Sequence, residues 1–152
     1  MAAYIAKPGA EPMREATGPR AKKILFVCIG NSCRSQMAEG FARKLAGNAL
    51  EIRSAGLSPA GIVMPDTHDV MKEHGILLDG QFPKGIELMV REPFDVVINM
   101  SGELLPRMNG RVVEWKVRDP IGQNMTVYRT VADQIEVLVR DLVTAMTGES
   151  VT

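Results

Sequence analysis

The sequence predicts an α/β fold: a single doubly wound domain in which a central parallel four-stranded sheet carries helices on both faces. Three observations lead there. Beyond residue 21, strand-like and helix-like segments alternate, as they do where parallel strands are joined by helical crossovers. The run Asp95-Val96-Val97-Ile98-Asn99-Met100 is apolar through its middle, as a strand buried on both faces should be. Towards the C-terminus Val127, Val131, Ile135, Leu138, Leu142 and Met146 recur at three- and four-residue intervals, the apolar stripe of a long helix.

Residues 1–21 are rich in Pro, Gly, Ala and charge without periodicity, and are expected to form a flexible N-terminal tail. The folded domain is expected over 22–148. Lys22 to Ile29 is mostly β-branched and large apolar residues and reads as the first strand, near 22–29. A helix follows near 36–46, then a strand near 50–54, a helix near 65–74 and a short helix near 84–91. Strands near 95–100 and 112–116 precede the final helix near 124–147, which Gly148 can end. The sequence shows no internal repeat and no low-complexity segment.

Composition narrows the function classes. The chain has 152 residues, enough for one domain with its own core. Its 18 basic residues balance 18 acidic ones, so it lacks the basic excess of a nucleic-acid or anionic-membrane binder. No apolar run approaches the roughly 20 residues that span a bilayer, and the start of the chain lacks the apolar core of a signal peptide, so a cytoplasmic location is expected. Two cysteines spaced C-x4-C, with no second ligand pair, make neither a disulfide scaffold nor a good zinc site. Neither a metal nor a cofactor is expected. His68 and His74 are read as structural or solvent-facing, and the ten methionines as core filler.

The chemistry concentrates in Cys28-Ile29-Gly30-Asn31-Ser32-Cys33-Arg34-Ser35, which joins a strand tip to a helix N-terminus. There the first backbone N–H groups lack intrahelical partners, and together with the helix dipole they favour an anion. Gly30 and Asn31 let the loop turn sharply enough to aim several N–H groups inward. The same field stabilises a thiolate, which would make Cys28 a nucleophile at neutral pH. Arg34 can fold a planar guanidinium over the loop to grip two oxygens, a fork lysine cannot reproduce. Ser35 can hydrogen-bond the thiolate. A bare C-x5-R spacing would be weak; its strand-loop-helix setting gives it weight. Asn31 and Ser54 can brace the loop, and either could equally be an ordinary turn or strand-end residue.

The run from Cys28 through Gln36-Met37-Ala38-Glu39 resembles the active-site signature of the low-molecular-weight protein tyrosine phosphatases, a fold shared with certain arsenate reductases. The resemblance continues through Ser54-Ala55-Gly56, Met71-Lys72-Glu73-His74-Gly75-Ile76 and Asp119-Pro120, covering roughly 22–146. It implies that Cys28 attacks phosphorus to give a phosphocysteine. It also implies that Arg34 and the loop residues Ile29, Gly30, Asn31, Ser32, Cys33 and Ser35 hold the transferring group. Asp119 would then protonate the leaving oxygen and activate water, roles that suit a loose phosphoryl transition state. Without the resemblance, Asp119-Pro120 could simply open a turn.

The departures also matter. Tyrosine phosphatases of this family follow Asp-Pro with two tyrosines that wall an aromatic substrate; here Ile121 and Gly122 follow. The segment from Ser54 to Gly61 and Tyr128-Arg129 are more similar to the arsenate-reductase branch. Thioredoxin-coupled reductases carry further cysteines after the strand corresponding to 95–100, whereas Ser101 and Gly102 stand here, so an internal disulfide relay cannot operate. Cys33 can fill the loop, form a reversible disulfide that protects Cys28 from overoxidation, or do both. The leading reading is a phosphatase acting on phosphomonoesters, protein phosphotyrosine or smaller. The alternatives are arsenate reduction by Cys28 with an external thiol, and a non-catalytic oxyanion-binding regulatory module. The partners implied are a phosphate- or arsenate-type oxyanion, a phosphoprotein for the hydrolase, and a small thiol or thiol-redox protein for the reductase.

Overall fold

The computed structural model describes residues 21–148, so the expected tail over 1–21 lies outside the described residues apart from Ala21. The elements run β1 (Lys22–Cys28), α1 (Arg34–Ala46), β2 (Leu50–Gly56), α2 (Pro65–Glu73), β3 (Val96–Asn99), β4 (Arg111–Glu114) and α3 (Met125–Thr147). Single 3-10 turns occur at Gly47–Ala49 and Ile86–Leu88. The four strands form one all-parallel sheet in the order β2-β1-β3-β4.

β1 is the central element, paired on both edges, and residues Ile24 to Cys28 are buried. Its alternate residues face two cores. Ile24, Phe26 and Cys28 pack into a cluster with Met37 and Phe41 of α1, Val70 and Met71 of α2, and Val131, Ile135 and Val139 of α3. Leu25 and Val27 face a smaller cluster of Ala55, Ile86, Met89, Phe94 and Val97. The three α-helices therefore share one face, and the 3-10 turn at Ile86–Leu88 with its flanking loops covers the other. No described helix is long and apolar enough to cross a membrane.

The short helix expected over 84–91 is reduced to that turn, for a local reason. Lys84 spends its backbone N–H on Asn31 Oδ1 and its carbonyl on Gly56 N, which holds Gly85 extended in a bridge beside Gly56. Neither Lys84 group is left for a helix. In α3 the buried face is Tyr128, Val131, Ala132, Ile135, Val139 and Val143, with Val127, Leu138, Leu142 and Met146 flanking it, so the expected stripe is rotated by about one residue. The small Ala132 and the polar-tipped Tyr128 hid the true centre of that face. Asn124 caps the helix by accepting from Val127 N at 3.1 Å, and Gly148, left-handed at φ 76°, closes it as expected.

β2 ends against the loop that follows β1, at a contact only glycine allows. A Cβ on Gly56 would lie 2.6 Å from Ile29 O and 2.8 Å from Asn31 N, both backbone atoms. Gly56→Ala should therefore cost about 1–3 kcal/mol of stability, an overpacking penalty read by urea denaturation. An unchanged midpoint would show that the loop yields freely.

Candidate active site

The loop after β1 is built by its own carbonyls. Cys28 O accepts from Leu57 N at 3.1 Å, Ile29 O from Ser58 N at 2.8 Å and Gly30 O from Ala60 N at 2.9 Å. Asn31 O accepts from Gln36 Nε2 at 3.0 Å, and Ser32 O from Met64 N at 3.1 Å and Thr67 Oγ1 at 2.9 Å. Cys33 O starts α1 by accepting from Met37 N at 2.9 Å. Six successive carbonyls are thus occupied outside the loop, and no protein acceptor among the described residues takes the N–H groups of Gly30 to Ser35. α1 begins with no side-chain cap and no acidic residue in its first turn. Such a set of donors suits an oxyanion.

Asn31 is the hub. It is fully buried and adopts φ 51°, the left-handed region that Asn tolerates better than most residues. Its Oδ1 accepts from Lys84 N at 2.9 Å, so its amide nitrogen must face the other way, donating to Ser35 Oγ at 2.7 Å and Ser54 Oγ at 3.0 Å. Ser35 Oγ, already accepting, is free to give its own proton to Cys28 Sγ at 2.9 Å. Ser54 gives its proton to Glu39 Oε1 at 2.5 Å. The Glu39 carboxylate sets the direction of Ser54, while the Ser35 proton remains available to Cys28, and a hydrogen bond donated to sulfur favours the thiolate.

Cys28, Ile29, Gly30, Ser32, Cys33, Arg34 and Asp119 line one cavity of about 270 Å³, with Ser58, Ala60 and Ile121 completing it. Asn31 and Ser35 lie beneath it as braces. Arg34, 5% exposed, anchors Nη1 to Met100 O at 2.5 Å and Val117 O at 3.1 Å, carbonyls beyond β3 and β4. Its Nη2 lies 3.5 Å from Asp119 Oδ2, and its buried Nε has no partner among the described residues. The Nε–Nη2 edge is the one a bidentate oxyanion would take. Asp119, with a side chain 43% exposed, also accepts from Ile121 N at 3.1 Å, so it opens a turn and stands at the cavity together.

The two thiols differ. Both are free, but Cys33 Sγ sits 3.5 Å from Tyr128 OH and burial pushes its pKa up. Tyr128 is itself buried, mainly for that reason its phenol pKa is raised, and it does not line the cavity. Sequence reasoning assigned no role to Gln36, Glu39, Thr67 or Lys84, all of which hold the loop. Glu39 lay within the recognised motif; Thr67 and Lys84 reach the loop across long sequence separations and left no local signal. His74, facing Asp133 and Glu136 carboxylates at 3.4 Å each, is the one described His–carboxylate cluster that could hold a metal, and it shares no residue with the cavity.

The family model for low molecular weight phosphotyrosine protein phosphatases matches residues 23–151. The chain belongs to this family. Within it, the glutaredoxin arsenate reductase of Synechocystis sp. is 39% identical over 127 residues, covering 80% of this chain and 96% of the relative. A solved arsenate reductase in the phosphate-binding state has a TM-score of 0.74 at 38% identity, covering 82% of this chain and 98% of its own. A tyrosine phosphatase from Erwinia amylovora also reaches 0.74, at 25% identity, covering 88% and 98%. Family membership makes the protein an enzyme and supports binding of a tetrahedral oxyanion.

The contrast between the thiols is testable. At neutral pH Cys28 should alkylate with iodoacetamide at least about tenfold faster than Cys33, and phosphate or arsenate should protect it. Equal labelling of the two, unaffected by either oxyanion, would contradict the site.

Proposed function

We propose that the protein is an arsenate reductase that uses Cys28 and an external thiol. The observation that carries this reading is the lining of the cavity. Asp119, half-exposed Ile121 and Ser58 complete it and no aromatic residue lines it, so a small tetrahedral anion finds donors while an aryl ring finds no aromatic wall. The arsenate-reductase relatives support it, and they back this alternative better than the phosphatase reading that leads from the sequence alone.

The chemistry uses only groups at the cavity. Cys28 thiolate attacks arsenic, and an As–O bond breaks as Asp119 or solvent delivers the proton that lets the oxygen leave as water. Arg34 and the loop N–H groups hold the charged oxygens throughout. An external thiolate then attacks Cys28 Sγ. An S–S bond forms, the S–As electron pair stays on arsenic, and arsenite departs as As(III). A second thiol attacks the mixed disulfide, releasing the external disulfide and restoring the Cys28 thiolate. The sum is arsenate plus two thiols giving arsenite, one disulfide and water. Because Cys28 and Cys33 are the chain's two cysteines, and Cys33 is packed against Tyr128, both reducing thiols come from outside.

Phosphomonoester hydrolysis is the second reading, favoured by one observation: Asp119 stands beside Arg34 in the cavity lining, where a general acid would serve an ester oxygen. One comparison separates them. With arsenate and glutathione, alone or with glutaredoxin, arsenite and glutathione disulfide should form in equal amounts and faster than an aryl phosphate is hydrolysed. Cys28→Ser should abolish both reactions, and Arg34→Lys should slow arsenite formation at least about tenfold through loss of the fork. Hydrolysis outpacing reduction with every thiol would give the assignment to the phosphatase.

A further inference from the structure

A second cavity, of about 790 Å³, is lined by Glu39, Arg43 and Phe82 among others and shares no residue with the first. Lys84 also lines it. The ammonium donates to Phe82 O at 2.7 Å, lies 3.4 Å from both Asn31 Oδ1 and Ser54 Oγ, and sits 4.9 Å from the centre of the Phe82 ring. No carboxylate is within ion-pair distance of it among the described residues. It is a half-buried cation placed against neutral oxygens of the network that ends at Cys28.

A buried charge with no direct counter-ion is costly, and burial lowers the Lys84 pKa while the field of Glu39 opposes that shift. Glu39 explains the arrangement. Its carboxylate is 4% exposed and accepts the Ser54 proton, so a negative charge lies behind the same loop that must stabilise a thiolate in front. Arg43 pairs with Glu39 at 2.6 Å, but its side chain is half in solvent, where charge is screened. Lys84 is the second, less hydrated cation on that carboxylate's field. In front of the loop, Arg34 and Asp119 oppose each other, and Cys33 and Tyr128 stay neutral as their raised pKa values require.

We propose that Lys84 is a positioning residue for Cys28: its ammonium adds a second donor to the Asn31 Oδ1 that the Lys84 backbone N–H already orients, polarises Asn31 and Ser54 towards Ser35 and the thiolate, and offsets the buried charge of Glu39. Nothing in the reaction touches Lys84; it acts through Asn31. The inference rests on Cys28 being the nucleophile of the proposed reaction, and not on which oxyanion is turned over.

The test therefore reads the thiolate directly. The pH profile of Cys28 alkylation by iodoacetamide, resolved by peptide mass spectrometry with Cys33 as internal reference, is compared for the full-length parent, Lys84→Met and Lys84→Gln. Both neutral variants should show the profile moved to higher pH and labelling at pH 6 slowed about three- to tenfold, the scale of one unit charge acting across a protein interior. In Lys84→Ala, n-propylammonium, but not n-propanol, should recover part of the rate. Neutral variants whose profiles superimpose on the parent would overturn the proposal, as would Lys84→Gln alone matching the parent, since a neutral donor would then suffice. Slow, pH-insensitive labelling of the parent would instead remove Cys28 as the nucleophile and the function reading with it.

Discussion

An oxyanion cradle requires that no carbonyl face the guest, and this constraint organises the rest of the molecule. The carbonyls of residues 28–33 are each claimed from outside the loop. That demand explains otherwise unrelated features: the turn at Leu57–Ala60 laid against the loop, Thr67 in the first turn of α2, and the Gln36 side chain folded back on Asn31. It also explains the glycine at 56, where β2 comes close enough that any side chain would strike the loop backbone. The site is thus a property of how β2 and α2 are packed as much as of the motif itself.

Proton direction propagates from the same loop. Lys84 N fixes which end of the Asn31 amide faces Ser35, and Ser35, accepting from that amide, keeps its proton available for Cys28. Such a chain is cooperative, because each hydroxyl that accepts one bond donates the next one more strongly. Its cost is a buried carboxylate at Glu39 and a half-buried ammonium at Lys84, polar groups that a purely structural loop would not need. Their presence behind a cysteine is evidence that the loop is arranged for charge in front.

Much of this was legible in the sequence, because strand, loop and helix are contiguous there. Cys28 to Ser35 contains both the proposed nucleophile and the arginine proposed to grip the oxyanion, and local propensities place them at a strand tip and a helix start. Asp119 was readable as a general acid through the family motif alone; the structure shows that it opens a turn and stands beside Arg34. What sequence reasoning lost were effects of tertiary hydrogen bonding. Periodicity over 84–91 suggests a helix, but Asn31 and Gly56 capture both backbone groups of Lys84 and leave only one 3-10 turn. The face of α3 shifted because Tyr128 and Ala132, not obvious core residues, pack beneath the loop and against the sheet.

The two chemistries weighed for this site differ in the fate of the bond that Cys28 sulfur would form. In hydrolysis water attacks phosphorus and sulfur leaves unchanged; in reduction a thiol attacks sulfur and the electron pair goes to arsenic. Mass spectrometry of the protein quenched during a single turnover with arsenate and glutathione reads that fate directly. The account predicts a glutathione mixed disulfide on Cys28, formed only when both reagents are present and accompanied by one equivalent of arsenite. Arsenite released with Cys28 never thiolated, or glutathione found on Cys33 instead, would contradict it.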